Sequence, residues 1–201
     1  TISFLAASGE ESRKITSVRK AAMSLIVSMQ KSISGEIPGC IGRYTDEYYP
    51  RAIGDYLHSS GIPCILIESG ASSKDPLRNT ARKMNFLAFL EAFRTIITEE
   101  VGEDDVRDYQ DIPENQKLFY DLILRGCEIE GFGSARLDLA LLIDERPDKS
   151  QFSIRKRYII KEIGDLNYHY GLNDHSGVEV HCESKLMVDT PANLSVFQEG
   201  K

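Results

Sequence analysis

The chain changes texture about halfway along. Its first half alternates short apolar runs with stretches of helical periodicity. "TISFLA" at residues 1–6 is apolar and β-rich and predicts a short strand. In "KITSVRKAAMSLIVSMQKSI", Ile15, Val18, Ala22, Leu25, Ile26, Met29 and Ile33 recur at spacings of three and four, the signature of a helix with a broad buried stripe. "SGEIPGCIG" reads as loop. "YPRAIGDYLHSSG" predicts a short helix ended by Gly61, followed by Pro63 and a strand, "CILIE". "DPLRNTARKMNFLAFLEAFRTIIT" predicts a longer helix, with Asp75 as N-cap and Pro76 at its first position. Leu77, Ala81, Met84, Ala88 and Ile96 fall down one side of it. Strand, helix, helix, strand, helix over residues 1–98 is half of an α/β layered domain, its strands too apolar to face water. A helical bundle with two apolar linkers is the alternative.

Residues 99–114, "EEVGEDDVRDYQDIPE", hold eight acids against one arginine. They predict a solvated acidic linker, because the glycine and ligand spacing of a calcium loop are missing. Beyond them the texture is β. "FYDLILRGCEIEG", "ARLDLALLID" and "SIRKRYIIKEIG" are strand-like, so residues 115–201 read as a small β-rich module or as strands added to the first domain. The tail "PANLSVFQEGK" reads as peripheral.

Composition narrows the partners. The 201 residues are 41% hydrophobic and 27% charged, ordinary globular values, with a formal net charge of -7. That balance argues against a nucleic-acid or anionic-membrane partner. No apolar stretch approaches the about 18 residues of a membrane span, and no signal peptide is recognisable. The four cysteines form no C-x-x-C pair, and Cys64, inside an apolar run, reads as a small buried hydrophobe. The chain opens at Thr1, already inside a strand, which predicts a piece of a longer polypeptide.

Candidate chemistry is sparse. His169, His175 and His181 are spaced by six and read as surface residues; three converging on a metal is the sharper alternative. His58 reads as a helix-end residue. Zinc-protease, phosphate-loop and dinucleotide motifs are absent, and "IESG" makes Ser69 a weak nucleophile candidate. One acid stands out: Glu68, placed where the apolar strand ends. Near it in sequence, "GRYTDEYYPRAIGD" supplies Arg43, Tyr44, Asp46, Tyr48, Tyr49, Arg51 and Asp55. Arginines and tyrosines beside glycines suit anions and hydroxyls, while a self-paired polar loop explains them equally well.

The stretch "IGRYTDEYYPRAIGDYLHSSGIPCILIESG", with "DPLRNTARKMNFLAFLEAFRTI" after it, resembles the C-terminal part of M14-type zinc carboxypeptidases, in particular a bacterial subgroup. "TISFLA" looks like the strand that follows the third zinc ligand in that subgroup. The resemblance covers residues 1–98 and implies a partial carboxypeptidase-like sheet flanked by helices. It implies that Glu68 is the general base of a zinc metallopeptidase, taking a proton from a zinc-bound water and passing it to the leaving amine. Tyr44 or Tyr48, 24 and 20 residues before Glu68, matches the substrate-contacting tyrosine. Arg43 and Arg51 are further substrate-binding candidates. Gly54 and Asp55 lie on the stretch that lines the specificity pocket, where Gly54 leaves room and Asp55 favours a basic side chain. The family's His-x-x-Glu pair, later histidine and carboxylate-binding arginine do not precede residue 43. The implied parent is therefore a zinc enzyme acting on peptide substrates. This chain would carry no zinc of its own and would work with a missing N-terminal part of the same polypeptide. Periplasmic or extracellular location is favoured over cytoplasmic. The competing expectations are a non-catalytic peptide-binding or scaffold protein that retains the fold, and a serine hydrolase centred on Ser69.

Overall fold

The first apolar run forms β1 (Ile2–Ala6), and the long periodic stretch forms α1 (Ser17–Ile33). They belong to a computed structural model that describes residues 1–72, 75–98, 105–129, 135–182 and 186–198. The chain divides into two units, Thr1–Lys117 and Leu118–Lys201. The first unit continues with β2 (Ile41–Arg43), α2 (Ile53–Ser59), β3 (Ile65–Ser69), α3 (Asn79–Thr98) and α4 (Asp105–Asp111). The protein is of mixed α/β class, as the alternating pattern predicts.

Its sheet has the order β2-β1-β3, with β2 parallel and β3 antiparallel to β1. Successive strand residues point to opposite faces. Ile2, Phe4 and Ala6 point to the face where Ala22, Ile26, Met29 and Ile33 of α1 and Ala81, Met84 and Ala88 of α3 complete one core. The register puts Ser3, Gly42 and Glu68 on the other face. Leu66 is exposed there too, so β3 is buried on one side only and not on both as its apolar run predicts.

Local chemistry sets the helix ends. Thr16 caps α1 by accepting the Arg19 N–H. Ile15 precedes this helix and is exposed, and the buried stripe includes a charged residue, Arg19. α3 starts three residues later than expected. Asp75 and Pro76 lie in a turn before it, with Arg78 in the left-handed region, yet the Asp75 carboxylate still accepts the Asn79 and Thr80 N–H groups. Leu77 and Ile96 are exposed; Ala81, Met84, Ala88, Ala92 and Thr95 form the buried side. Phe86, Phe89, Leu90, Phe93 and Ile97 also lie exposed on α3.

Two elements fall where loop was expected. β2 is a strand of three residues cut from the glycine-rich stretch. α4 occupies much of the acidic stretch and packs on α1, burying Tyr109 and then Ile112, so residues 105–112 are no solvated linker. Residues 99–104 lie outside the described residues.

The second unit is β-rich. It comprises β4 (Phe119–Ile129), β5 (Arg136–Asp148), β6 (Ser153–Gly164), β7 (Tyr170–Ser176), β8 (Val178–Cys182) and β9 (Leu194–Gln198). These form one sheet of order β6-β5-β4-β8-β9, with β7 pairing parallel to β4. Residues 191–198 of the tail belong to this sheet and are not peripheral: β9 pairs antiparallel with β8, and Ala192 and Leu194 pack on a core of Leu124, Leu139, Leu141 and Val180. Residues 199–201 lie outside the described residues. Cys64 is half-buried, Cys127 buried and Cys40 exposed. Among the described residues no helix is long and apolar enough to cross a membrane.

Candidate functional site

β2 and β3 flank β1, so residues at their ends reach the same region from two sides. The chain leaves β2 through Tyr44, whose N–H still donates to Phe4 O at 2.9 Å. From there the Tyr44 hydroxyl donates to Glu68 Oε2 at 2.7 Å. Glu68 is exposed on the outer face of β3 and pairs in register with Ser3. The hydrogen bond to Glu68 is the main cause that raises the Tyr44 phenol above its ordinary pKa. Burial and the Glu68 charge add to it, and a hydrogen bond from Asn115 pulls the other way.

Asn115 arrives because the chain runs beside β2 at residues 113–115. Arg43 N–H donates to Pro113 O and Asn115 N–H donates to Arg43 O, both at 2.8 Å. A Cβ at Gly42 would lie 3.2 Å from Asn115 Cα, so the bare glycine admits this close approach. Asn115 follows directly on the acidic stretch. Its place at the phenol depends on a pairing between residues some 70 apart, which carries no local signal in the sequence.

The two tyrosine candidates separate here. Tyr44 touches Glu68, while Tyr48 is half-buried in the loop beyond. Arg43 sits on the opposite face from Glu68, paired with Phe4; its Nε donates to Ile112 O at 2.9 Å and its Nη1 lies 3.2 Å from Glu114. Arg51 is exposed in the turn before α2. A Cβ at Gly54 would be 3.6 Å from Ala7 Cβ and 3.7 Å from Cys64 Sγ, so this glycine sits where α2 packs on the exit of β1.

Asp55 is buried and fully engaged. Its carboxylate accepts the Ser8 hydroxyl at 3.2 Å, the Gly9 N–H at 3.0 Å and the Tyr49 N–H at 3.2 Å. It ties the exit of β1 to the loop that carries the tyrosines. His58, one turn on, lies in the last turn of α2, the helix-end position expected of it, and is buried there. Neither ring nitrogen has a hydrogen-bond partner, and burial, with the Arg19 charge, pushes its pKa down against a smaller opposing pull from Asp55.

Ser69 points to the helix-facing side of β3, where its hydroxyl accepts a hydrogen bond from Asn85. His169 stacks near Tyr120 at 5.8 Å between ring centroids, His175 is on β7, and His181 on β8 lies 3.4 Å from Glu179. Among the described residues no three His, Cys, Asp or Glu side chains form a group that could hold a metal. Around Glu68 and Tyr44 the described residues therefore supply no ligand set for a catalytic zinc. No family model, curated protein or solved structure matches the chain.

Proposed function

We propose that the first unit carries the general-base half of a zinc carboxypeptidase-like peptide hydrolase, with Glu68 as the base and Tyr44 as its phenol partner. The metal-binding half is assigned to polypeptide outside the described residues. The observation that carries this reading is the 2.7 Å hydrogen bond between Tyr44 and Glu68 on an exposed sheet face. It joins Glu68 to one of the two tyrosines, Tyr44 and Tyr48, that the resemblance offers.

The geometry suits proton transfer. A strand fixes the Glu68 backbone, and the phenol holds one carboxylate oxygen, Oε2. The other oxygen is left to a water. As that water attacks a peptide carbonyl, Glu68 takes its proton and then delivers it to the amine that leaves when the C–N bond breaks. Tyr44, beside the same carboxylate, is placed to meet the peptide.

Two preparations test the reading. The whole natural polypeptide containing this chain is expected to bind zinc and release C-terminal residues from peptides. Residues 1–201 alone are expected to do neither. Stoichiometric zinc with turnover from residues 1–201 alone would overturn the division of labour. Peptide binding without turnover by the whole polypeptide would favour the non-catalytic binding reading instead.

A further inference from the structure

A second site lies on the helix-facing side of the first sheet. β2 ends at Arg43, so past Tyr44 the Ala6 N–H and C=O have no strand partner on that side. Two side chains take their place: Ala6 N–H donates to the Tyr109 hydroxyl at 3.1 Å, and Arg19 Nε donates to Ala6 O at 3.3 Å. Beside this substitution is a cavity of 160 Å³, bordered by Arg13, Arg19, Arg43, Asp46, Tyr109 and Gln110, with Ile15 and Met23 as its apolar wall.

Its charge is unusual for this molecule. The whole chain carries 31 acids and 24 Lys and Arg, yet three guanidinium groups and a single carboxylate border this cavity. Arg19 is 2% exposed. Three of its donors are used, by Ala6 O, by Arg13 O at 2.6 Å and by Asp46 Oδ2 at 2.5 Å. A guanidinium has five N–H bonds, so two remain on a buried cation at the cavity wall. Asp46 also takes Arg13 at 3.4 Å, which spreads one negative charge over two positive ones. Arg43 uses Nε and Nη1 on Ile112 and Glu114, leaving Nη2. The Tyr109 oxygen accepts from Ala6, so its own proton is available to donate.

We propose that this cavity binds a small oxyanion, inorganic phosphate or a free carboxylate, between Arg13, Arg19 and Arg43, with the Tyr109 hydroxyl as a further donor. Convergent guanidinium donors are the recurrent solution for both anions, because the planar fork matches two oxygens at once. The volume far exceeds the about 30 Å³ share of one water, so a polyatomic ion fits. The anion would offset the mutual repulsion of the three cations and fasten the loop bearing Arg13 to the segment Arg43–Asp46. This site faces away from Glu68 and stands whether or not the hydrolase reading does.

Calorimetric titration of the full chain at fixed ionic strength tests it, with phosphate and acetate as separate ligands and chloride as background. Saturable binding of at least one oxyanion is expected. Arg13→Gln and Arg43→Gln, both at partly exposed positions, should each weaken it roughly tenfold or more, as loss of a charge-assisted hydrogen bond does. Arg136→Gln, on the second unit, should leave it unchanged. Binding of phosphate alone names phosphate as the ligand, and acetate binding extends it to carboxylates. Absence of saturable binding by either ion, or affinities unmoved by both cavity substitutions, would overturn the proposal.

Discussion

The Tyr44 hydroxyl donates to Glu68 Oε2 at 2.7 Å, joining the chain just after β2 to the outer face of β3 across the intervening β1. Neither residue is near the other in sequence. Three strands in one register bring them together, and Asn115 braces the phenol from a third direction.

This contact has a spectroscopic consequence that needs no substrate. The Tyr44 phenol, held up chiefly by its bond to Glu68, should titrate above the usual ~10 of a free tyrosine. Glu68→Gln should bring its titration down, and Tyr48→Phe should leave it in place. Tyrosine-ring carbon NMR against pH reads this directly. A Tyr44 resonance that titrates identically with and without the Glu68 charge would disprove the pairing in solution.

His58 predicts a pH-dependent stability. Its folded pKa is depressed, so the unfolded chain binds the proton more readily, and stability is lost as pH falls through about 6.5, the value of unfolded histidine. His58→Leu removes that contribution. Urea unfolding at roughly pH 7.5 and roughly pH 5 should show a smaller acid loss in the variant than in the wild type. Equal losses would mean that the buried ring is not the titrating group.

Gly9 should not tolerate a side chain. Its φ is +72, and a Cβ there would meet His58 Cδ2 at 2.9 Å. The left-handed backbone alone costs an alanine about 1–2 kcal/mol, and moving His58 adds to it. Gly9→Ala should therefore destabilise by more than about 1 kcal/mol in thermal or urea unfolding. A neutral result would show that the exit of β1 is looser than drawn.

On α3 the two sides should respond differently. Met84 is 1% exposed within the core, and Phe93 is 62% exposed. Met84→Ala should cost about 2–5 kcal/mol, while Phe93→Ala should change stability by no more than about 0.5 kcal/mol. Similar large losses at both positions would show that the outer side of α3 is packed in solution.

Much of the fold was legible because periodicity reports burial. α1, β1 and β3 follow their apolar spacing. The pattern failed where tertiary contacts override it. Ile96 sits at a core-like spacing but faces out, whereas Arg19, unreadable as core, is buried through bonds to Ala6, Arg13 and Asp46. α4 was hidden by its acids, since only Val106, Tyr109 and, just past its end, Ile112 turn an apolar side to the core. At the candidate site, Glu68 was marked by an acid ending an apolar run. The contact of Tyr44 rather than Tyr48 with Glu68, the hydrogen bond from Asn115 to Tyr44 and the engagement of Asp55 by Ser8 and Gly9 all depend on long-range pairings that no local spacing encodes.

The role proposed for Glu68 is that of a proton-transferring base. Its most direct test is turnover by the whole natural polypeptide carrying Glu68→Gln, measured alongside zinc content and peptide affinity. Loss of general-base catalysis predicts a fall in kcat of about 10²–10⁴-fold, with zinc content and peptide affinity retained. A kcat within a few-fold of wild type, in protein with full zinc, would contradict the account.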